Sequence, residues 1–489
     1  MSSYTTAVLA DSPLAYYRLG ETSGTTAHDS TTSGYNGTLN GTISLNQAGA
    51  IQGDTNGAML FDGSTGYIAL PPNLDLSTLS QLTIEFWLYV PSLSALNRDA
   101  RVIANSHTDA DNKGVQVVIA HGGLGGNFGL GNGTSNASLY IIGNDFVATT
   151  WYHIACTWDG PTMKLYINGV LNNSMNFPGP IASSGYPLNI GRNPAYTGDY
   201  FPGTLDEVAI YATALAPARV GAHYRAGSMH LVYTARAADM LLWAREYKWG
   251  NTATYNGELE TYLPANVFQS GTELVLEGRN TGGGNPSVGG GTYTSGMVAS
   301  YNAVSLRYGY LEASIKFPAG YGVWPAFWML YTTYNANNEI DICEIFESAT
   351  TLNCGIHFPS NGGVGSDGGS TTVPDMSAGY HTYAVDWQPT YIEFYFDGLS
   401  IRRITTVAEI PSQLMYILLN VAISGVAVGN HVPAAGQFPL DMYVQYMDIW
   451  QGYDAKTYQL SVLIPGQFRQ TCAGRVEMAQ RPRKREDNV

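Results

Sequence analysis

What most constrains this chain is its punctuation. Short runs of β-branched and aromatic residues are closed by Asn-Gly, Asp-Gly or Ser-Gly pairs along most of its length. Such runs read as strands and such pairs as tight hairpin turns. Leu82-Thr83-Ile84-Glu85-Phe86-Trp87-Leu88-Tyr89-Val90 and Met163-Lys164-Leu165-Tyr166-Ile167 are examples. One arrangement occurs twice. Trp151-Tyr152-His153 through Trp158, then Leu165-Tyr166-Ile167-Asn168-Gly169, is echoed by Tyr380-His381 through Trp387, then Phe394-Tyr395-Phe396-Asp397-Gly398. Both read as strand, tight turn, strand. The spacing is not that of a short-period repeat, so the echo implies one sandwich hairpin used in two successive domains. The expected fold class is all-β.

Composition agrees and narrows the partners. A chain of 489 residues has room for two or three domains, and 56 Gly and 34 Tyr with only 12% charged residues favour strands and turns over helical bundles. A net charge of −15, with only 23 Lys and Arg, argues against a nucleic-acid partner and mildly against sulfated polysaccharides. Four cysteines are too few for a disulfide scaffold. Cys343 and Cys354 can face each other across a hairpin turning near Ser348-Ala349; two buried thiols acting as small hydrophobes are preferred to a bond. No zinc-ligand spacing is present. Met1-Ser2-Ser3-Tyr4 lacks the basic and apolar regions of a signal peptide, and no apolar run is long enough to cross a membrane. Oligomeric state is left open.

The chemistry concentrates in Glu339-Ile340-Asp341-Ile342-Cys343-Glu344. On a strand Glu339 and Asp341 share a face, whereas Glu344, five places from Glu339, falls on the other. One β-bulge after Asp341 returns Glu344 to the carboxylate face. Two long Glu side chains leaning over a short Asp can then approach the ~5–5.5 Å that double displacement on a sugar requires. An acidic solvent-facing strand or a calcium site is the plain alternative. Upstream, Gly322-Val323-Trp324-Pro325-Ala326-Phe327-Trp328-Met329-Leu330 puts Trp324 and Trp328 on one strand face. Two indoles beside a carboxylate strand suit sugar subsites better than core packing.

With these motifs, Tyr308-Gly309-Tyr310-Leu311-Glu312-Ala313, His381 through Trp387 and Phe394 through Gly398, residues 240–452 resemble glycoside hydrolase family 16. The resemblance implies a concanavalin-like β-jelly-roll with a concave cleft. Within that family the bulged strand is similar to the laminarinase branch and some galactanases. It also implies a cleft role for His357 in Gly355-Ile356-His357-Phe358 and for Asn256 in Asn256-Gly257-Glu258-Leu259, the latter equally a turn residue. Leu241 through Tyr247 resembles a decayed first strand, with Arg245 where an acidic residue is usual. Met297 stands where Arg is frequent, which removes a donor from one subsite. Val444 through Trp450 resembles the closing strand. Gln445 there replaces an Asp that helps hold a structural calcium, so that calcium is doubtful and no cofactor is expected. Trp387 is read as core.

Residues 4–226 resemble a laminin-G-like, concanavalin-type jelly-roll. The match rests on Ala15-Tyr16-Tyr17-Arg18-Leu19-Gly20-Glu21, Leu60-Phe61-Asp62-Gly63, Trp151-Tyr152-His153 and Leu205-Asp206-Glu207-Val208-Ala209-Ile210-Tyr211. Asp206 and Glu207 suit either calcium or hydrogen bonds closing a strand end, and His153 suits a satisfied structural role. Pro217 through Tyr224 suits a short closing helix, and Thr234 through Met240 has helical propensity. The expected layout is two tandem concanavalin-like sandwiches: 1–227 a carbohydrate-binding or adhesion module, 228–453 the family 16-like domain, and 454–489 an extension. The Gly-rich stretch from Thr281 to Gly291 reads as a flexible connection, and the charged tail Arg481 through Asp487 as disordered.

Two functions are expected from different classes. In the first, Glu339 is the nucleophile of a retaining endo-glycosidase and Glu344 its acid/base. Asp341 orients Glu339 and, by its charge, keeps Glu344 protonated. The first-choice substrate is a neutral β-1,3-glucan and the second an agar-type galactan. In the other, the chain is a non-catalytic carbohydrate-binding or structural protein of a surface or virion with a vestigial cleft. The expected location is extracellular or surface-associated, a virion being the other option.

Overall fold

The structure is a computed structural model that describes residues 3–92, 99–106, 111–119, 125–143, 146–196, 198–250, 256–282, 292–333, 338–360, 363–452, 456–463, 469–470 and 476–477. Most of the Gly-rich stretch after Thr281, and the charged tail Arg481 through Asp487, lie outside them. The chain divides into two units, Met1–His230 and Leu231–Val489. Almost every regular element in both is a strand.

In the first unit the described residues form two eight-stranded sheets. One runs Val170–Asn176, Thr162–Ile167, Trp151–Trp158, Leu82–Tyr89, Pro202–Tyr211, Ala58–Asp62, Ile43–Gln47, with Ala15–Tyr17 added on Pro202–Tyr211. The other contains Asn136–Tyr140, Gly126–Asn132, Lys113–Ile119 and Ala100–Ala104 in adjacent positions. One cluster containing Ile84, Phe86, Val117, Phe128, Ile154 and Leu205 fills the space between them.

A helix covers the outer face of the first sheet. It spans Pro217–Ser228, starting on Pro217 as expected and running one turn past Tyr224. A second helix, Ser3–Ala10, was not expected in an all-β module. Tyr4 and Val8 bury it in an apolar cluster with Trp87 and Val220, and Asp11, just after it, accepts from Arg219 at 2.8 Å and meets His223 at 3.0 Å. His223 also contacts buried Glu85 at 2.9 Å, and His153 Nε2 does so at 3.2 Å, so His153 is the structural histidine expected, satisfied at Nε2 while its buried Nδ1 finds no partner among the described residues. The acidic pair is buried and hydrogen-bonded, within the strand Pro202–Tyr211 and not at its end: Asp206 accepts from the Ala50 N–H at 2.8 Å and Glu207 pairs with Arg18 at 3.0 Å.

The second unit repeats the plan. Its eight-stranded sheet runs Gly363–Thr372, Thr351–Ser360, Glu339–Glu344, Val323–Tyr331, Met415–Ile423, Val304–Arg307, Gln459–Val462, with Met297–Ala299 added on Met415–Ile423. A ten-stranded sheet lies behind it, with Leu440–Gln451, Gly309–Lys316 and His381–Trp387 at its centre. Ile340, Ile342, Phe327, Leu419, Val385 and Ile449 belong to the core between them. Trp387 is buried in that core and donates to the Pro411 carbonyl at 2.9 Å, as expected.

The echoed hairpins match in detail. Asn168-Gly169 and Asp397-Gly398 take positive φ at both residues. Asn168 and Asp397 each accept a backbone N–H, from His153 and Thr382 respectively, at 2.9 Å. Each turn side chain thus reaches onto the start of the strand that precedes its own hairpin and ties the turn to that neighbour.

At the join one expectation fails and another holds in part. Leu241 through Tyr247 is a turn with a single bridge, Ala244 to Ala299, and not a strand. Arg245 explains it, because its guanidinium folds back onto the Leu241 and Pro264 carbonyls at 3.1 and 3.2 Å and closes the segment into a loop. The helical propensity from Thr234 yields only Ala237–Met240, the preceding residues being strand to Ala235.

Candidate active site

Glu339–Glu344 pairs on one side with Val323–Tyr331 and on the other with Thr351–Ser360. Toward the first, Asp341 opposes Trp328 and Cys343 opposes Phe327, so Ile342 is extra. Toward the second, Asp341 opposes Gly355 and Glu344 opposes Asn353, which leaves Ile342 and Cys343 against Cys354 alone. This is the expected bulge. Its cause lies in the core: Ile342 and Cys343 are consecutive yet both belong to the buried apolar cluster. Two inward residues in succession are possible on a strand only with a bulge, and the step turns Glu344 back to the face of Glu339 and Asp341. Cys343 and Cys354 are free buried thiols, as preferred.

That face floors an open cleft with ≈ 360 Å³ of empty space. Glu339, Asp341, Glu344, Trp324, Trp328 and Asn256 all line it. His357, opposite Glu339 in the register, places Nε2 3.3 Å from Asp341 Oδ2. The Trp324 indole N–H donates to Glu344 Oε1 at 2.9 Å, so this ring grips the carboxyl as well as walling the cleft. Asn256 is both a turn and a cleft residue: its amide group binds Glu258 at 3.3 Å and its carbonyl accepts the Val426 N–H at 2.7 Å.

The electrostatics follow from crowding three carboxyls in a buried place. Burial, and then the charge of Glu339, outweigh the Trp324 bond and push Glu344 up to about 7. Burial and the charge of Glu344 raise Asp341 to about 6, against the pull of His357. Glu339 is raised as well, by burial and by the charge and hydrogen bond of Asp341. Adjacent buried carboxyls joined by a hydrogen bond hold one proton between them. Repulsion between carboxylates is mutual, so the charge of Glu339 and that of Asp341, itself raised by Glu344, both favour a protonated Glu344. Glu339, Asp341 and His357 also offer ligand atoms within 4.8 Å of one another, the geometry of a cation site. These groups already pair among themselves, His357 with Asp341 and Asp341 with Glu339.

Sequence reasoning missed the residues behind the second indole. Trp328 donates to Asn420 Oδ1 at 2.7 Å, and Asn420 Nδ2 donates to the Tyr262 hydroxyl at 3.0 Å. Because an indole only donates, it fixes which way the Asn420 amide faces. Tyr247 packs edge-on against Trp328 at 6.3 Å. Asn420 was detectable, as the lone polar residue in the apolar run of Met415–Ile423. Met297 is buried in the apolar cluster that Tyr247, Tyr262 and Trp328 share, so it supports the second indole from behind.

The family model described as glycosyl hydrolases family 16 matches residues 254–437, a span that contains every residue of this cleft named in advance. The second unit is a family 16 glycosyl hydrolase domain. Ahead of it, residues 62–221 match the model of the concanavalin A-like lectin/glucanases superfamily, in agreement with the laminin-G-like reading. Among curated relatives, the family 16 domain is similar to endo-1,3-1,4-beta-glycanase ExsH of Rhizobium meliloti (strain 1021), 31% identical over 201 residues. That match covers 38% of this chain and 43% of the relative. Glucan endo-1,3-beta-glucosidase A1 of Niallia circulans is 28% identical over 228 residues, covering 42% and 33%. The chain thus spans less than half the length of either relative. Of solved structures, the catalytic domain of an endo-1,3-beta-glucanase (laminarinase) from Thermotoga petrophila RKU-1 aligns with TM-score 0.42 and 28% identity over 46% of this chain and 98% of that one.

Proposed function

We propose that the family 16 domain is a retaining endo-β-1,3-glucanase working by double displacement. The observation that carries this reading is the bulge, which puts Glu339 and Glu344 on one face of a cleft walled by two indoles. Glu339 attacks the anomeric carbon as the glycosidic C–O bond breaks, and Glu344 delivers its proton to the departing oxygen. Glu344 then takes a proton from water, whose oxygen displaces Glu339 and frees the sugar. Attack requires the shared proton to lie on Asp341, a short transfer along a bond already made. Asp341 is thus the residue that orients Glu339 and takes its proton. Burial suits Glu344 to its task, because a carboxyl held near 7 enters the reaction protonated. Both reacting carboxyls come from the chain, and the scheme needs no cofactor. The choice of a neutral β-1,3-glucan is supported by the acidic chain, which disfavours polyanions, and by the names of the two relatives.

The test is a panel of laminarin, mixed-linkage glucan and agarose with detection of new reducing ends. Release should be fastest from laminarin. Glu339→Gln should lower it by several orders of magnitude while leaving binding intact, because an amide cannot attack. Release from agarose alone would transfer the reading to galactans. No release from any of them would leave a carbohydrate-binding protein.

A further inference from the structure

Near the Glu344 end of the cleft lies an aromatic pair that the proposed reaction does not use. Tyr321 is 55% exposed, and its ring stacks on the His431 imidazole with centroids 4.2 Å apart and planes at 17°. The pair is firmly held. His431 Nδ1 lies 2.8 Å from Glu347 Oε1, and the same oxygen accepts the Gly322 N–H at 2.8 Å. The Glu347 carbonyl accepts the Gly320 N–H at 3.0 Å, so Glu347 clamps the chain on both sides of Tyr321. Glu347 itself sits at φ 65, and Ser424 and Asn430 at φ 69 and 59, a backbone region that side chains rarely enter. Such conformations persist where the surroundings impose them, and they cluster at ligand sites.

The pair is continuous with the cleft. Trp324, which holds Glu344, packs against Gly425 so closely that a Cβ there would come within 2.9 Å of the indole. The next residue, Val426, is 62% exposed and bonds the Asn256 carbonyl. The loop closes with the Asn430 N–H on the Gly425 carbonyl at 2.7 Å and delivers His431 beneath Tyr321. The loop from Gly425 to His431, with Val426 exposed on it, thus forms a ridge that leads from the cleft wall to an exposed ring.

We propose that Tyr321, backed by His431, binds a distal sugar of the glucan chain on the leaving-group side of the scissile bond. The inference rests on the glucanase reading above. In a direct displacement the departing oxygen lies on the opposite side of the anomeric carbon from Glu339, toward Glu344. The sugars attached to it pass Trp324 and continue toward the ridge. A pyranose presents a face of C–H groups, which complements the negative face of an aromatic ring. A ring already stacked on a clamped imidazole loses little freedom on binding.

The test compares the full-length wild-type chain with Tyr321→Ala and Tyr321→Phe on two substrates. Laminariheptaose places several sugars on the leaving side, and 4-nitrophenyl β-laminaribioside places none there. Tyr321→Ala should lower kcat/KM on the heptaose roughly tenfold, the factor that about 1.4 kcal/mol of lost contact gives. It should leave the aryl bioside unchanged, and Tyr321→Phe should match wild type on both. An unchanged heptaose rate, or equal loss on both substrates, would overturn the proposal. An inactive wild-type chain would sink the glucanase reading and this inference with it, an outcome distinct from an active wild type indifferent to Tyr321.

Discussion

At the scale of single residues, the site is a problem in placing protons. Three carboxyls share one buried face, and each responds differently because each has different neighbours. Glu344 has an indole N–H and the charge of Glu339, and is pushed up to about 7. Asp341 has the charge of Glu344 against it and His357 for it, and is raised to about 6. The sign of the pH dependence follows. Glu344 must be protonated to release the leaving oxygen, so kcat/KM on laminari-oligosaccharides should fall above about 7. The Glu339–Asp341 pair must have lost one proton, so the rate should also fall below about 6. An aryl glucoside whose leaving group needs no proton should lose the alkaline limb of its glycosylation step while keeping the acidic one. An alkaline limb that persists unchanged with the aryl substrate would take the acid role away from Glu344.

At the scale of elements, the bulge is the device that makes the site. It follows from two consecutive inward residues, Ile342 and Cys343, and both belong to the core. Deleting Cys343 should remove the bulge and leave Glu339-Ile340-Asp341-Ile342-Glu344, whose plain alternation still puts both Glu side chains on the cleft face. Hydrolysis should then be reduced but measurable, with the strand content of the circular dichroism spectrum retained. Loss of hydrolysis by several orders of magnitude in a folded variant would show that the shape of the bulge, and not only the facing of Glu344, is needed. This part of the molecule was legible in the sequence because strand parity is a local rule: Glu339, Asp341, Glu344, Trp324 and Trp328 are fixed by counting along two strands. The support behind them was not, because Asn420 and Tyr262 lie far apart in the chain and meet only through sheet pairing. The helix Ser3–Ala10 escaped for a similar reason. Its polar anchor runs through Asp11 to Arg219 and His223, at the other end of its unit. The segment Leu241 through Tyr247 misled because apolar content suggested a strand, while Arg245 bonds two carbonyls and folds it into a turn.

At the scale of the whole molecule, two sandwiches with the same hairpin stand in series, and in our reading only the second carries the reacting carboxyls. If the first is a binding module, it raises the local concentration of a polymer that cannot diffuse to the cleft. A chain beginning at Leu231 should therefore keep its rate on soluble laminari-oligosaccharides and lose it on insoluble glucan. Equal loss on both would make the first unit a folding partner instead. Everything above depends on Glu339 acting as the nucleophile with Glu344 opposite it, and that arrangement leaves a stereochemical record. The measurement that reads it is a proton NMR time course of laminariheptaose hydrolysis by the wild-type chain, taken before mutarotation. The account predicts that the β-anomer of the new reducing end appears first, since two inversions restore the starting configuration. First appearance of the α-anomer would mean a single displacement by water, and would contradict it.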